Sequence, residues 1–434
     1  MTPQTQTGLA DRTDPPGTAA RRAALFLLDA VLRKGLPLDA ALPSATRGLP
    51  RADDRAFATA IASEALRWLP DLDALIDGAT RSPLPPDAKA RAALRIALAQ
   101  ALAMDTAAHA AISTVLPLVD GGPRKLVHGV FGTLMRSGAT LPEHPTLPAQ
   151  ATARWTTAFG AAEVEAAGAL IAAPPPVDLT LADAGRTEHW TGVLGGTSLL
   201  HGHVRVPRGT RVENLPGFDE GAWWVQDVAA SVPARLFGAG AGKSALDLCA
   251  APGGKTMQLA AAGFSVTAID ASASRLARLR ENLTRTGLAA DVVTADVVNW
   301  APRESVDAVL LDAPCSATGT FRRHPEVLYR ARPRVIAELA IAQRALLARA
   351  ADWVKPGGTL VYATCSLERE EGEAVVDEFV ATRRDFAVAP VSADELPGGI
   401  VPDAHGRVRV LPSMLASAGG ADGFFIARLT RTPA

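Results

Sequence analysis

Cysteine is scarce in this chain: 434 residues hold three, Cys249, Cys315 and Cys365. An odd count with no C-x-x-C pair excludes a disulfide scaffold and a cysteine clip for a metal, so no metal is expected. An excess of one charge is also missing. Lys and Arg number 44 against 45 Asp and Glu, a net of −1, so no global field draws nucleic acid or an anionic surface. Long apolar runs are absent, and none approaches the ~20 residues of a membrane span. The first residues, MTPQTQTGLADRTDPPGTAA, lack the apolar core of a signal peptide, and 1–19 read as a disordered start. These absences predict a cytoplasmic protein with no membrane partner, and the chain is expected to be a monomer. Lysine is rare too, so a lysine inside a motif stands out.

What is present divides into three parts. Residues 20–137 read as all-helical. Leu25, Leu28 and Leu32 share one face of a first helix, and Phe57, Ile61, Leu66 and Trp68 mark a second. Further helices are predicted over about 88–104, 108–119 and 124–136, with a break at Gly121-Gly122-Pro123. This part carries 15 basic side chains against 11 acidic, mildly compatible with RNA. Residues 138–148, GATLPEHPTLP, form a Pro-rich linker. A small mixed segment follows over 149–222, with a helix around 155–172, a Pro174-Pro175-Pro176 breaker and a strand near 177–181. From 223 to the end, strands alternate with helices. Strand candidates are 245–249, 265–270, 291–296, 308–312 and 359–364, with 408–411 and 423–429 at one edge. Such alternation predicts an α/β fold, a mainly parallel sheet covered on both faces, with ligands at the carboxyl ends of its strands.

The first of these strands runs into DLCAAPGGKT, residues 247–256, and then a helix. Glycines there let the backbone approach a ligand, and free amides at the helix start favour polar groups. The G-x-G-x-x-G spacing of dinucleotide sites is absent. The P-loop spacing fails at its leading position, which is Cys249 here and Phe237 before Gly242-Lys243-Ser244. S-adenosylmethionine fits better: it has no phosphates, its ribose diol suits Asp270 at the end of the second strand, and its adenine amino group suits Asp296 at the end of the third. Either acid alone could be an ordinary helix cap.

Two cysteines stand at later strand ends, Cys315 in DAPCSATGTFRRHPE (312–326) and Cys365 in YATCS (362–366). One cysteine alone reads as buried filler, and Cys249 keeps that reading. Two in neighbouring loops suggest paired thiol chemistry. Carbon 5 of cytosine is a poor nucleophile until a thiolate adds at carbon 6, and the adduct must later be released with loss of the carbon 5 proton. Asp312 would assist from the base's amino edge. Lys255 would supply positive charge to lower a thiol's pKa. The basic run 321–334 holds five arginines against one acid, and as a continuation of the Cys315 motif it offers an RNA contact through Arg322, Arg323 and His324.

The chain resembles the Nop/Sun group of RNA 5-methylcytosine methyltransferases. The motifs that carry the resemblance are VQDVAAS (225–231), LDLCAAPGGKT (246–256), DAPCSATGTFRRHP (312–325), KPGGTLVYATCS (355–366) and DGFFIARL (422–429). The S-A-T-G and R-R-H-P forms are similar to the bacterial small-subunit rRNA type of that group, the RsmB or Sun type. Residues 20–137 resemble its NusB-like helical RNA-binding domain, through DRAFATAIASEALR and AHAAISTVL. The resemblance implies a Rossmann-like sheet of seven strands preceded by a small connecting α+β domain, with 16S ribosomal RNA as the partner. It makes Cys365 the nucleophile and Cys315 the residue that releases product. Its cofactor contacts fall on Cys249, Ala250, Ala251, Pro252, Gly253, Gly254, Lys255, Asp270, Asp296 and Asp312. The chain departs from the family pattern at Leu328-Tyr329 and across VDLTLADAG. The alternatives are a DNA cytosine methyltransferase, which would have no need of Cys365, a non-catalytic RNA-binding assembly factor, which would not need the cysteines, a methyltransferase acting on tRNA, and an NTPase, disfavoured by the two failed P-loops.

Overall fold

The computed structural model describes residues 14–172, 175–209 and 211–433. The chain forms two compact units that divide between Thr146 and Leu147. The first is helical among its described residues: Thr18–Leu32, Leu38–Ala45, Ala52–Arg67, Leu69–Gly78, Lys89–Ala103, Ala108–Val115 and Gly121–Arg136. Leu27, Leu28, Ile61, Leu66, Leu72, Ile76, Leu94 and Leu98 are almost fully buried between them. Leu25 and Leu32, expected on the core face with Leu28, are only half-buried. The first helix starts at Thr18, two residues earlier than expected, and the expected disordered start lies outside the described residues up to 13. The break expected at Gly121-Gly122-Pro123 lies just before them. Those three residues form the first turn of the last helix, where a proline's missing N–H costs nothing. The linker is tied to this unit: the amide and hydroxyl of Thr146 donate to Asp71 at 2.9 and 2.7 Å.

The second unit carries two sheets. The small one, antiparallel in order β2-β1-β3, comprises β1 (Val177–Leu181), β2 (His203–Val206) and β3 (Trp223–Val225). The sequence reading placed 223 onward with the large sheet. In fact Trp223 and Trp224 pair with Leu181 and Thr180, because both indoles bury against the small sheet and the cofactor loop rather than in a new layer. The large sheet comprises β4 (Ser244–Leu248), β5 (Ser265–Asp270), β6 (Asp291–Thr294), β7 (Val306–Asp312), β8 (Val354–Thr364), β9 (Phe386–Val388), β10 (Val408–Val410) and β11 (Phe424–Arg431). Seven strands follow the order β10-β11-β8-β7-β4-β5-β6, and β9 pairs with β11 as an eighth. The ladders from β6 to β8 are parallel, and β11 runs antiparallel to β8.

Both faces of this sheet are covered, which explains why its strands read as apolar runs rather than alternations. Leu360 and Tyr362 of β8 pack with Leu347 and Val375 of helices Pro333–Ala351 and Glu373–Thr382 on one face. Val361 and Ala363 pack with Val232 and Leu259 of helices Val228–Arg235 and Gly254–Ala261 on the other. The Lys355-Pro356-Gly357-Gly358 turn was expected to precede β8 but lies within it. Val354 pairs with Val306 while Thr359 already pairs with Ala308, so the extra residues bulge from the ladder, with Gly357 at φ 77° taking the bend. After β4 the chain builds outward to β5 and β6, then crosses back to β7 on the other side of β4. The crevice at the carboxyl ends of β4 and β7 is therefore the sheet's switch point.

Candidate functional site

The cofactor-type loop leaves β4 at this switch point. Cys249 sits at φ 61° and Gly253 at φ 104°, and between them the chain turns sharply into helix Gly254–Ala261. Gly253 is required twice over: its φ is left-handed, and a Cβ there would meet Leu279 Cγ at 2.7 Å. Burial pushes the Cys249 thiol up to about 12, so it is inert packing. A cavity of about 480 Å³ opens over the loop. Ala250, Ala251, Pro252, Gly254 and Lys255 line one side, and Asp312, Cys365, Thr320, Arg323 and Phe424 another.

At the head of the cavity Lys255 Nζ lies 2.7 Å from Asp312 Oδ2 and 5.3 Å from the centre of the Phe424 ring. Burial disfavours the ammonium, but Asp312 outweighs it and holds the lysine charged. Both Lys255 and Arg323 lie within electrostatic reach of Cys365. The two loops expected to meet do meet: Cys315 Sγ and Cys365 Sγ are 3.5 Å apart. Their hydrogen bond, then burial, hold the Cys315 thiol well above its ordinary value, so it stays protonated beside its neighbour.

The two other acids stand apart from the cavity wall. Asp270 is buried beneath the loop, where its carboxylate accepts from the amides of Ala251 (3.2 Å) and Ser272 (2.9 Å) and pairs with Arg275 at 3.2 Å. It braces the turn from behind. Asp296 is exposed and caps its own turn, accepting from Val298 N at 3.0 Å.

The basic run requires a correction. Arg322 was expected on an RNA-facing patch, yet it is 1% exposed, bonded to Asp227, to Asp422 Oδ1 (3.0 Å) and to the Gly419 carbonyl (3.0 Å). Two buried carboxylates need a cation, and this arginine answers them. Arg323 also pairs with Asp422 but reaches the cavity, and His324 is part-exposed, 3.5 Å from Glu326. Three motifs, VQDVAAS, FRRHP and DGFF, thus converge on one buried ion cluster. Sequence reasoning missed Asp227, Asp422 and Phe424 as site residues, although each lies inside a motif already singled out. It also missed Glu371, which lies beyond those motifs and is treated below.

No helix among the described residues is long and apolar enough to cross a membrane, and among them no group of three His, Cys, Asp or Glu side chains could hold a metal ion.

Comparisons with known proteins identify the family. Residues 238–430 match the family model of 16S rRNA methyltransferase RsmB/F, and residues 18–133 match that of the NusB family. The chain is 34% identical to ribosomal RNA small subunit methyltransferase B of Pseudomonas syringae pv. tomato, over 95% of this chain and 97% of that protein. It is also 34% identical to the protein of that name from Xanthomonas campestris pv. campestris, over 89% and 93%. The fold is similar to the crystal structure of PH0851, with TM-score 0.73 at 24% identity over 96% of this chain and 99% of that one. It is similar also to that of NSun6 from Pyrococcus horikoshii with SFG, with TM-score 0.58 at 19% identity over 67% and 99%. The chain belongs to the RsmB/F family of 16S rRNA methyltransferases, which use S-adenosylmethionine, and carries a NusB-family helical domain ahead of the catalytic sheet.

Proposed function

We propose that this protein methylates carbon 5 of a cytosine in small-subunit ribosomal RNA through a covalent adduct on Cys365 that Cys315 helps to resolve. The observation that carries the reading is the Cys365 thiol at the wall of a cavity that also presents Lys255 and Asp312, with the Cys315 thiol 3.5 Å from it.

S-adenosylmethionine supplies an electrophilic methyl when bound. The residues present suit it. A Gly-rich turn opens onto a cavity of about 480 Å³, and the sulfonium's positive charge is compatible with the carboxylate of Asp312 on its wall. Cys249, Ala250, Ala251, Pro252, Gly253 and Gly254 would hold it through their backbone, Asp270 through the ribose diol and Asp296 through the adenine amino group. Asp270 has acceptor sites to spare beyond its two amides, once Arg275 swings aside.

Cys365, with Lys255 and Arg323 to stabilise its thiolate, adds to carbon 6 of the cytosine. Asp312 addresses the N3 and amino edge of the base, where a proton delivered to N3 lets the ring take up the electron pair as the bond forms. Carbon 5 becomes enamine-like and is methylated. Cys315, 3.5 Å away, owes its raised pKa first to the hydrogen bond with Cys365, and it is relieved of that partner once Cys365 is bonded to carbon 6. As a thiolate it then takes the remaining carbon 5 proton, the carbon 6–sulfur bond breaks, and Cys365 departs as a thiolate. The base must be exposed for this, which requires a single-stranded or opened target.

The two cysteines can be separated experimentally. Cys365→Ala should abolish both methylation and any covalent RNA adduct. Cys315→Ala should trap methylated RNA on the protein, seen as a slow band on a denaturing gel that ribonuclease collapses. An adduct on Cys365→Ala but not on Cys315→Ala would reverse the roles. Bisulfite mapping of ribosomal RNA with and without the protein checks the substrate.

A further inference from the structure

Behind the two cysteines lies a buried carboxylate that the reaction as described does not use. Glu371 is 0% exposed and sits in the short turn Arg369–Glu371 after β8. Its Oε1 accepts from the Ser316 amide at 2.9 Å and from Gln343 Nε2 at 3.1 Å. Its Oε2 accepts from the hydroxyls of Ser316 and of Ser366, the latter at 2.6 Å. Ser316 is the residue after Cys315 and Ser366 the residue after Cys365. The two serine hydroxyls are themselves 3.2 Å apart. Gln343 completes the cage by donating to the Pro314 carbonyl, just before Cys315, at 2.8 Å. Tyr362 anchors the other end of Glu371 by donating to its carbonyl at 2.7 Å.

We propose that Glu371 is a positioning residue that ties the Cys315 and Cys365 loops into one rigid unit, so that both thiols address the same cytosine without relative movement. A buried carboxylate is an expensive way to fill space, and an apolar residue of similar volume would stabilise the fold as well. Four donors converge on the two oxygens, and three of them come from the residues that immediately follow the two thiols. Both cysteines act in turn on adjacent atoms of one ring. A displacement of one loop by about 1 Å costs on the order of 100-fold in rate. The inference rests on the two-cysteine reading above.

The test is steady-state and single-turnover methylation with Glu371→Ala and Glu371→Gln, read per folded molecule. Glu371→Ala should lower kcat ~10- to 100-fold, with KM for RNA and Kd for S-adenosylmethionine within about twofold of the wild type. Glu371→Gln should recover most of the rate, because its amide oxygen can take the Ser316 N–H and its NH2 can donate to the serine hydroxyls. Wild-type kcat in folded Glu371→Ala, or a Gln variant no better than Ala, would overturn the proposal. If Glu371→Ala does not fold, Ser316→Ala and Ser366→Ala each cut one side of the tie. The first should slow decay of the adduct and the second its formation, and unchanged rates of both in both variants would overturn it. Failure of the two-cysteine reading shows separately, as a Cys315→Ala protein that never traps RNA while Glu371 is intact.

Discussion

Asp270 and Asp247 show how one residue type takes different work from its surroundings. Asp270 braces the loop through two amides, so its removal should strike cofactor binding twice, by a lost acceptor and by a loosened turn. Asp270→Ala should weaken S-adenosylmethionine binding by roughly 1.5–3 kcal/mol in calorimetry, and unchanged affinity would remove it from the site. Asp247, near the carboxyl end of β4, is 0% exposed and accepts from Thr256 Oγ1 at 2.6 Å. Burial, against the help of Thr256, pushes its carboxyl up to about 7. An acid harder to ionise folded than unfolded favours the fold at low pH and loses that contribution as pH rises toward 7. Asp247→Asn, which cannot ionise, should therefore gain on the wild type by about 2 kcal/mol more at pH 7.5 than at pH 5 in denaturant unfolding. An equal difference at both pH values would show that the group does not titrate in this range. Lys255, Asp312, Cys315 and Cys365 were legible in the sequence because each lies in a motif whose chemistry needs that residue type, Lys255 at the start of the helix after the β4 loop and the other three at or just past the ends of β7 and β8. Arg322 was not legible as a buried residue. A charge run does not reveal which of its members two distant acids will claim, and those acids, Asp227 and Asp422, are 195 residues apart.

The elements were legible where their signals are local. β5 spans the residues its pattern indicates, and β4 and β7 differ from theirs by only a residue or two at their ends. The short strands β2, β3 and β9 were not, since three or four residues carry no periodicity of their own and exist only through their partners. The departure at VDLTLADAG has a similar cause. Asp178 of β1 is a latch, binding Arg205 at 2.7 and 2.8 Å and the Val228 amide at 2.9 Å, while Arg205 also reaches the Gly420 carbonyl at 2.8 Å. Nothing local announces such a role. The tightest junction lies between the Cys315 loop and the start of β11. A Cβ on Gly319 would come 1.9 Å from the Gly423 carbonyl oxygen, and the Gly319 amide donates to the Cys365 carbonyl at 3.0 Å. Backbone cannot swing away as a side chain can, so Gly319→Ala must part the loop from the strand. We expect a loss of about 1–3 kcal/mol in stability, together with a fall in methylation larger than the folded fraction explains. A variant with wild-type activity and melting temperature would mean the loop yields freely.

At the scale of the whole molecule, a net charge of −1 hides an uneven distribution. Residues 20–137 hold 15 basic side chains against 11 acidic, so the rest of the chain is net acidic. The run 321–334, expected to draw RNA, contributes less than its sequence promises: Arg322 is buried and Arg334 is paired with Glu338. The helical unit is the other candidate for attracting phosphate, through its exposed cations rather than through Arg21, Arg67, Arg91 and Arg95, which are buried. Helix Gly121–Arg136 is the clearest surface for it. The helix contains no acid, it buries Val127, Val130, Phe131 and Leu134, and it leaves Arg124, Lys125 and His128 exposed. If this unit holds the RNA, Arg124→Ala with Lys125→Ala should weaken RNA binding and reduce the slope of log K against log salt by about 1.5, the release of two counterions from a single strand. S-adenosylmethionine binding should not change, because no residue of this unit lines the cofactor cavity. Replacing Arg332 and Arg334 instead provides the comparison. A larger change of slope there than in the helical unit would return the principal RNA contact to the cysteine side and make the helical domain a structural companion.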